Sequence, residues 1–400
     1  MRIAFFEDRA AAQLTPLSQL RPVSELLCGQ FSTRERLVSG LQPGSWGLLV
    51  RPHLAEVCRE EIPQAAVNDP AWLSQQPVLL INGRWLAAAG TLRNLPHDGA
   101  ALIRDTVVAL WLDPLEAALL HDDDWQDGID RIARTRTMRE VGGTDEPLVD
   151  WPWDLVNHNP RQLEQDFETA EPHRASTMLL PTDQPNQVEI LGNPNRVRID
   201  ATASLEPFVV IDARQGPVTI GPEAQIQAFT RLEGPCHIGR HTRLFRANVR
   251  AGTTFGPHCR GGGEFEQSIL HGFANSYHDG FLGHAYVCPW TNLGALTTNS
   301  DLRNDYGPVR VPLAGTPVDS GSGKVGCFIG DHTKTALCSL FNTGSSIGVM
   351  CMVLPGGELL PKHIPSFSRV WHGSLQEGGP LEPHLETARL AMSRRNHSLT

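Results

Sequence analysis

The sequence predicts two folds in one chain: an α/β N-terminal domain followed by a left-handed parallel β-helix of hexapeptide repeats. Three observations carry the prediction. The first is a run of aliphatic residues six apart: Ile199, Leu205 and Ile211, then, after an irregular turn, Ile220, Ile226, Leu232, Ile238 and Leu244. The second is its return as Ile329, Thr335, Phe341, Ile347, Val353 and Leu359. The third is an N-terminal stretch in which short apolar runs alternate with segments of helical spacing.

A helix repeats its apolar residues every three or four positions and a lone strand every two, so a period of six fits neither. It fits short flat strands joined by tight corners, with the aliphatic residue inside. Small residues stand two places before the next rung, at Ala203, Ala224, Thr230, Cys236, Thr242, Thr333 and Ser339. Glycine often follows a rung, as at Gly221, Gly239, Gly330 and Gly348. Three hexads make one triangular coil, so Ile220 and Ile238, like Ile329 and Ile347, should stack on one another. The hexapeptide form of this solenoid is left-handed, against the usual crossover rule.

Taken in order, Arg2 to Phe6, Trp46 to Val50 and Val78 to Ile81 read as strands, and Thr33 to Gly40 and Leu54 to Ile62 as helices. Ala101 to Leu112 is a further apolar stretch, and Pro114 starts the next helix. Strands alternating with helices predict a parallel sheet covered on both faces. The acidic run HDDDWQDG at 121–128 reads as a solvated loop rather than a metal site, and Pro160 to Ala170 as a helix. PTDQPNQ at 181–187 is the expected linker. The boundaries that follow are 1–180 for the α/β domain, 187–375 for the β-helix and 376–400 for a helical tail, whose helix runs from Leu381 to Arg395.

Four hundred residues are long for one core and agree with two domains. The net charge of −10 argues against a general nucleic-acid binder. No apolar run approaches the roughly 18 residues of a membrane span. The start, MRIAFFEDRAAAQ, lacks the basic and apolar regions of a signal peptide, so a cytoplasmic protein is expected. Eight scattered cysteines, with Cys236, Cys259, Cys338 and Cys351 inside the ladder, read as reduced packing residues. The only lysines are Lys324, Lys334 and Lys362.

The chemistry collects where the ladder loses its period, between 260 and 325. At 275–295 the chain reads NSYHDGFLGHAYVCPWTNLGA, with His278 beside Asp279 and Gly280, off the inward rungs. Histidine titrates near neutral pH and suits general-base work, although an isolated one at a corner is more often a plain surface residue. The stretch resembles the acetyltransferase half of the bifunctional enzymes that make UDP-N-acetylglucosamine, in which a nucleotidyltransferase precedes a left-handed β-helix. Their motif of a His, two residues, an aromatic, Leu-Gly and later Asn-(Ile/Leu)-Gly-Ala is matched by His278, Phe281, Leu282, Gly283, Asn292, Leu293, Gly294 and Ala295. That resemblance implies that His278 deprotonates an acceptor amine before attack on acetyl-CoA. It implies that Asn292 holds the sugar and that Asn299, Ser300, Asp301, Leu302 and Arg303 line the acceptor and CoA cleft. A homotrimer, an amino-sugar phosphate or nucleotide-sugar as substrate, and acetyl-CoA as co-substrate follow in the same way. Phe281 stands where those enzymes usually carry tyrosine, and the insertion at about 304–325 is longer than theirs.

The N-terminal stretch TPLSQLRPVSELLCG, at 15–29, is similar to a segment of sugar-phosphate nucleotidyltransferases. With LINGRWL, PWDL and NSDLRNDYG it resembles a divergent subfamily described as sugar nucleotidyltransferases. Nucleotidyl transfer needs a glycine-rich turn over the triphosphate, cationic side chains and a carboxylate-held Mg²⁺. Here the first loop reads EDRAAAQL without glycine, the family's lysine falls beside Arg21 and Pro22, and its metal-binding Gly-Asp falls on Asn82 and Gly83. Arg9, Arg21 and Arg34 remain as candidates for cradling phosphates, since arginine binds them bidentately. Mg²⁺ is expected only if this domain is active, and no other metal. Two other readings stay open: a non-catalytic nucleotide-sugar-binding or assembly module, and a zinc hydratase on the same β-helix, for which His237 and His241 are candidate ligands without a third.

Overall fold

In the computed structural model, which describes residues 1–120, 125–169 and 188–400, the chain divides into two compact units. The first comprises Met1–Leu14, Ser18–Leu26 and Phe31–Trp151; the second comprises Thr15–Leu17, Leu27–Gln30 and Pro152–Thr400. The long helix Pro152–Thr169 therefore belongs to the second unit, although the sequence puts it ahead of the boundary near residue 180. It begins well before Pro160, which lies inside it rather than at its start. The expected linker at 181–187 lies outside the described residues, as do positions 121–124 of the acidic run. The rest of that run opens a helix, Trp125–Ala133, instead of continuing as a loop.

The first unit is a seven-stranded sheet. Its strands are β1 (Arg2–Phe6), β2 (Ser45–Leu49), β3 (Ala66–Val67), β4 (Val78–Asn82), β5 (Gly99–Ile103), β6 (Thr106–Leu112) and β7 (Thr137–Glu140), in the spatial order β3-β2-β1-β4-β6-β5-β7. The strand β1 pairs in parallel with β2 and β4. Alternate residues of β1 face opposite cores, Ile3 and Phe5 on one side and Ala4 and Phe6 on the other, so both faces are covered. The apolar stretch 101–112 is not a single element. Arg104, at a φ of 55°, turns it back on itself, and β6 runs antiparallel to both β4 and β5, so the sheet is mixed. The helix α1 (Thr33–Leu41) is closed at its start by a capping box, Ser32 with Glu35.

The second unit is a left-handed parallel β-helix of hexapeptide repeats. Ile220 stacks on Ile238 and Ile329 on Ile347, one coil apart as the period requires. The rungs Ile211, Ile226, Leu232, Ile238, Leu244, Ile329, Phe341 and Ile347 are all buried in one continuous core. Burying such a side chain is worth about 1.5–3 kcal/mol, and each coil supplies three. Two rungs differ from expectation. Leu205 is half-buried, and Leu359 is 59% exposed while its neighbour Leu360, at 4%, points inward. The ladder also continues through the stretch that lost its period, on Phe255, Phe265, Leu270, Leu282, Val287 and Leu293. There the third face carries Gly261 and Ser276 in line with Leu244. A Cβ on Gly261 would lie 2.6 Å from the Phe255 ring, so one aromatic side chain fills the space that two aliphatic rungs fill elsewhere. The insertion leaves the coil after Asn299 and returns at Cys327, and it contains a hairpin, Arg310–Leu313 against Thr316–Asp319.

Corners follow a rule of their own. Three residues after an inward rung the backbone takes the left-handed conformation, at Phe208, Glu223, Phe229, His241, His258, Phe273, Trp290, His332, Cys338 and Met350. Such a residue costs about 1–2 kcal/mol when it is not glycine. Stacking offsets part of the cost. Along one edge His241 lies on His258 (4.6 Å between ring centroids), His258 on Phe273 (4.7 Å), Phe273 on Trp290 (4.2 Å) and Trp290 on His332 (6.1 Å), with nearly parallel rings. The small residues two before each rung support the corners from inside. Thr242 donates to Gly256 O (2.8 Å) and accepts from Cys259 N (3.0 Å), and Thr333 repeats the arrangement with Gly348 O and Cys351 N. Seven cysteines are buried and none is disulfide-bonded; Cys338, expected as a packing residue, is exposed on its corner.

One face of the prism is covered from within its own unit. The Asn159 side chain, on the helix Pro152–Thr169, donates to Gly252 O (2.7 Å) and Thr254 Oγ1 (3.0 Å) and accepts from Gly29 N (2.7 Å). Leu27 N donates to the hydroxyl of Tyr286, which is fully buried on that face.

Urea denaturation distinguishes the two leucines: Leu360→Ala should cost about 2–5 kcal/mol, and Leu359→Ala should stay within about 0.5 kcal/mol of the parent. The ring ladder predicts an acid dependence. Burial, with His241, Arg240, His397 and Arg395 nearby, pushes His258 down to about 4. Between its unfolded value near 6.5 and that folded value the unfolded chain binds the extra proton, so stability falls as pH drops through this window. The variant His258→Phe keeps the stack and should lose stability less steeply from pH 6.5 to 4; an unchanged slope would remove His258 as its source.

Candidate functional site

The chain around His278 is shaped by glycine. His278 lies on the corner between Asn275–Ser276 and Phe281–Gly283, and that corner passes directly over Gly262 and Gly263 of the preceding coil. A Cβ at Gly262 would lie 2.1 Å from Tyr277 O, and one at Gly263, whose φ is +85°, would lie 2.7 Å from Gly280 N. Only glycine lets the two turns approach so closely. His278 is exposed, with the Tyr277 ring edge-on at 4.7 Å, and Tyr277 rests in turn on Phe245 (4.2 Å).

The other residues expected in the cleft divide between the two faces that meet at this corner. On one face Asn292 accepts from Asn275 Nδ2 (2.6 Å). On the other, Asn299 is buried and spans two coils, accepting from Gly283 N (3.0 Å) and donating to Gly283 O (2.9 Å). Both ends of its amide are committed to backbone, so Asn299 is a structural staple and does not line a cleft. Asp301 accepts from Nδ1 of His284 (2.8 Å), and this partner is one the sequence reading did not single out. Burial raises the Asp301 pKa, but the His284 hydrogen bond and charge, with Lys324, outweigh it and leave it below the ordinary carboxylate value. The pair closes the neck of the insertion, where Val325 N donates to Asp301 O (2.9 Å) and Gly326 N to His284 O (3.0 Å). Arg303 is exposed at the side chain and pairs with Asp305 (Nε to Oδ1, 2.8 Å). Local sequence could not have revealed the His284–Asp301 contact, because it joins residues on successive coils.

The histidines considered for zinc do not converge. The Nδ1 of His237 lies 2.7 Å from Thr219 Oγ1, whereas His241 pairs with Glu223 (3.2 Å) in the ring ladder. Among the described residues no group of three or more His, Cys, Asp or Glu side chains is arranged to hold a metal.

Ligands of open α/β sheets bind beyond the carboxyl ends of the strands, here those of the parallel strands β1, β2 and β4. Here acids and arginines occupy each other. Glu7 accepts from Arg51 Nε (3.0 Å), Arg51 N (3.0 Å) and Val23 N (2.9 Å). Asp8 accepts from Arg84 Nε (2.8 Å), from Arg84 Nη2, and from Asn82 Nδ2 (2.8 Å). Arg84 reaches on to Val149 O (2.7 Å) and Asp150 (2.8 Å). Burial opposes its charge, but Asp8 and Asp150 outweigh the burial and hold the guanidinium charged. Glu7, Asp8, Arg51 and Arg84 escaped the sequence reading because single charged residues at strand ends carry no spacing signal.

The arginines expected to cradle phosphate are elsewhere engaged or dispersed. Arg34 is half-buried and forks onto Glu25 (2.5 and 2.8 Å), so it serves as a structural ion pair and not as a free cradle. Arg9 is exposed and pairs with Asp127 (2.7 Å), and Arg21 gives its carbonyl to Arg51 (3.4 Å).

Residues 3–175 match the family model for sugar nucleotidyl transferase. Over 93 residues the chain is 30% identical to a bifunctional sugar-1-phosphate nucleotidylyltransferase/acetyltransferase of Sulfurisphaera tokodaii, a match that spans 23% of each protein. Among solved structures it is similar to the UDP-N-acetylglucosamine acyltransferase of Arabidopsis, with 14% identity, a TM-score of 0.28, and 53% of this chain and 79% of that one covered. A Bacillus cereus protein provisionally described as an acetyltransferase gives 14% identity and a TM-score of 0.25 over 52% of this chain and 92% of its own. Among the described residues no helix is long and apolar enough to cross a membrane.

Proposed function

We propose that the chain is a cytoplasmic sugar-nucleotide transferase whose chemistry lies on the β-helix: acyl transfer from acetyl-CoA to the amine of an amino-sugar phosphate or nucleotide-sugar. His278 is the base. The observation that carries this reading is the position of His278, exposed on a glycine-packed corner between the face of Asn292 and the face of Asp301. The match of residues 3–175 and the bifunctional relative support the coarser statement, a transferase acting on sugar nucleotides.

The chemistry asked of His278 is modest. An amine bound as its ammonium ion has no lone pair, so a neutral imidazole must first take a proton. The freed amine then adds to the thioester carbonyl carbon, the carbon–sulfur bond breaks, and CoA leaves as the thiol after taking up a proton. Asn292 is the candidate for holding the sugar, and Arg303, close to the neck of the insertion, for meeting a phosphate. Three copies assemble in this reading, with the cleft between neighbouring β-helices. Exposed Phe208, Phe229, Leu296 and Leu337 on the corners support a packed assembly.

Nucleotidyl transfer fits the first unit poorly. A Mg²⁺ ion needs carboxylate oxygens that are open to it, and Asp8 is already held by Arg84 and Asn82. The residues present do not fit the metal, and the reading assigns this unit a binding role.

Purified His278→Ala should lose about 10²–10⁴-fold in free-thiol release from acetyl-CoA with amino-sugar phosphates, while sedimenting at the wild-type trimer mass. Retention of more than about a tenth of the turnover would sink the base assignment. Incubation with a nucleoside triphosphate and a sugar 1-phosphate should release little pyrophosphate, and robust release would overturn the binding-only role of the first unit.

A further inference from the structure

On one face of the β-helix, Arg243, Arg260, Asn275 and Asn292 stand in line on successive coils. The segment that follows the helix Leu381–Ser393 reaches the same part of the prism. Arg395 Nη1 donates to His258 O (3.1 Å), and the His397 ring meets Phe273 edge-on at 4.8 Å. Three guanidiniums, those of Arg243, Arg260 and Arg395, gather here, and among the described residues no carboxylate pairs with any of them. We infer that Arg243, Arg260, Arg395 and Asn275 form a binding site for inorganic phosphate in its monohydrogen form.

Two orphaned groups mark the place. Arg260 Nε is buried without a hydrogen-bond partner, and so is Asn275 Oδ1. The two residues are neighbours in register, yet this donor and this acceptor do not bond each other. On another face the arginines are answered within the chain: Arg214 and Arg231 share Asp212, and Arg250 meets Glu264 and Glu266. Like charges gathered in a partly buried setting without a counter-charge are costly. Burial first, then the charges of Arg260, Arg243 and Arg394, outweigh Cys259 and hold Arg395 below the ordinary arginine value. An oxyanion answers the charge and supplies acceptors that suit forked guanidinium donors. Asn275 narrows the choice. Its Nδ2 is given to Asn292 Oδ1 (2.6 Å), so the amide presents Oδ1, an acceptor, beside the cations. The anion must therefore carry a proton as well as bare oxygens. Monohydrogen phosphate has both; sulfate and the dianion of a phosphate monoester have no hydroxyl to give.

The site is distinct from His278 and needs no acyl transfer. A sugar phosphate is a monoester and is disfavoured here by the same proton count, so this inference and the acyl-transfer reading can fail separately. Titration calorimetry on the full chain, above neutral pH and at fixed ionic strength in chloride, would compare phosphate, sulfate and methyl phosphate. Phosphate should bind, with sulfate and methyl phosphate each weaker by about tenfold or more, as expected when a buried acceptor faces a bare oxygen. Arg260→Gln should weaken phosphate about tenfold or more, and Arg243→Gln, at an exposed position that the fold tolerates, should do the same. Asn275→Ala should erase the preference for phosphate over sulfate. The inference fails if phosphate gives no heat, or if sulfate or methyl phosphate binds the parent as tightly. It fails equally if phosphate binding is unchanged in Arg243→Gln, or if the preference survives Asn275→Ala.

Discussion

The β-helix depends on coil-to-coil backbone pairing in strict register. Strand residues pair with their equivalents on the neighbouring coils, as Ile220 does between Ile199 and Ile238. A slip of one residue would turn an inward rung out on all later coils. The corners help to keep that register: at many of them a left-handed residue three after the rung turns the chain, and Thr242 and Thr333 tie one corner to the next. The cost of those backbone conformations is spread along the solenoid and recovered in stacked rings and buried rungs. The same constraint explains the insertion. It can be long because Asn299 and Cys327 hand the register across it, and Asn299 does so by bonding both backbone groups of Gly283.

Much of this was legible from the sequence because the solenoid repeats a local rule. A period of six with a small residue two before each rung states inside and outside without long-range information. The reading failed where the rule was met by an indirect solution. Gly261 and Ser276 occupy rung positions, and the Phe255 ring reaches across the prism to fill the gap beside Gly261. At the end of the ladder, the chain takes one extra residue and presents Leu360 in place of Leu359. In the first unit, Ala101 to Leu112 alternates too little to mark its turn, because both faces of the strands are buried. An arginine at positive φ is not a turn signal that composition reveals.

The candidate site was legible in a narrower sense. A short motif pointed to His278, and its corner packs closely on the preceding coil over glycines that the backbone requires. Partners were beyond reach, since His284 meets Asp301 and Asn275 meets Asn292 only because a coil brings residues 17 apart into contact. Asn299 shows the opposite error. The family resemblance implied a place in the cleft, and the fold uses its amide to satisfy buried backbone groups.

Charge economy in the first unit gives the last step. A buried carboxylate without a partner is expensive, and a guanidinium is the partner that satisfies most of its lone pairs. Once Arg84 holds Asp8, and Arg51 holds Glu7, a divalent cation at these acids would have to displace a guanidinium into a low-dielectric setting, leaving a second buried charge unpaired. Breaking a buried pair costs about 3–5 kcal/mol, against which weak metal binding cannot compete. The arrangement thus stabilises the strand ends by satisfying these carboxylates from within the chain. On the β-helix, His278 is a titratable side chain that the fold leaves exposed at its corner.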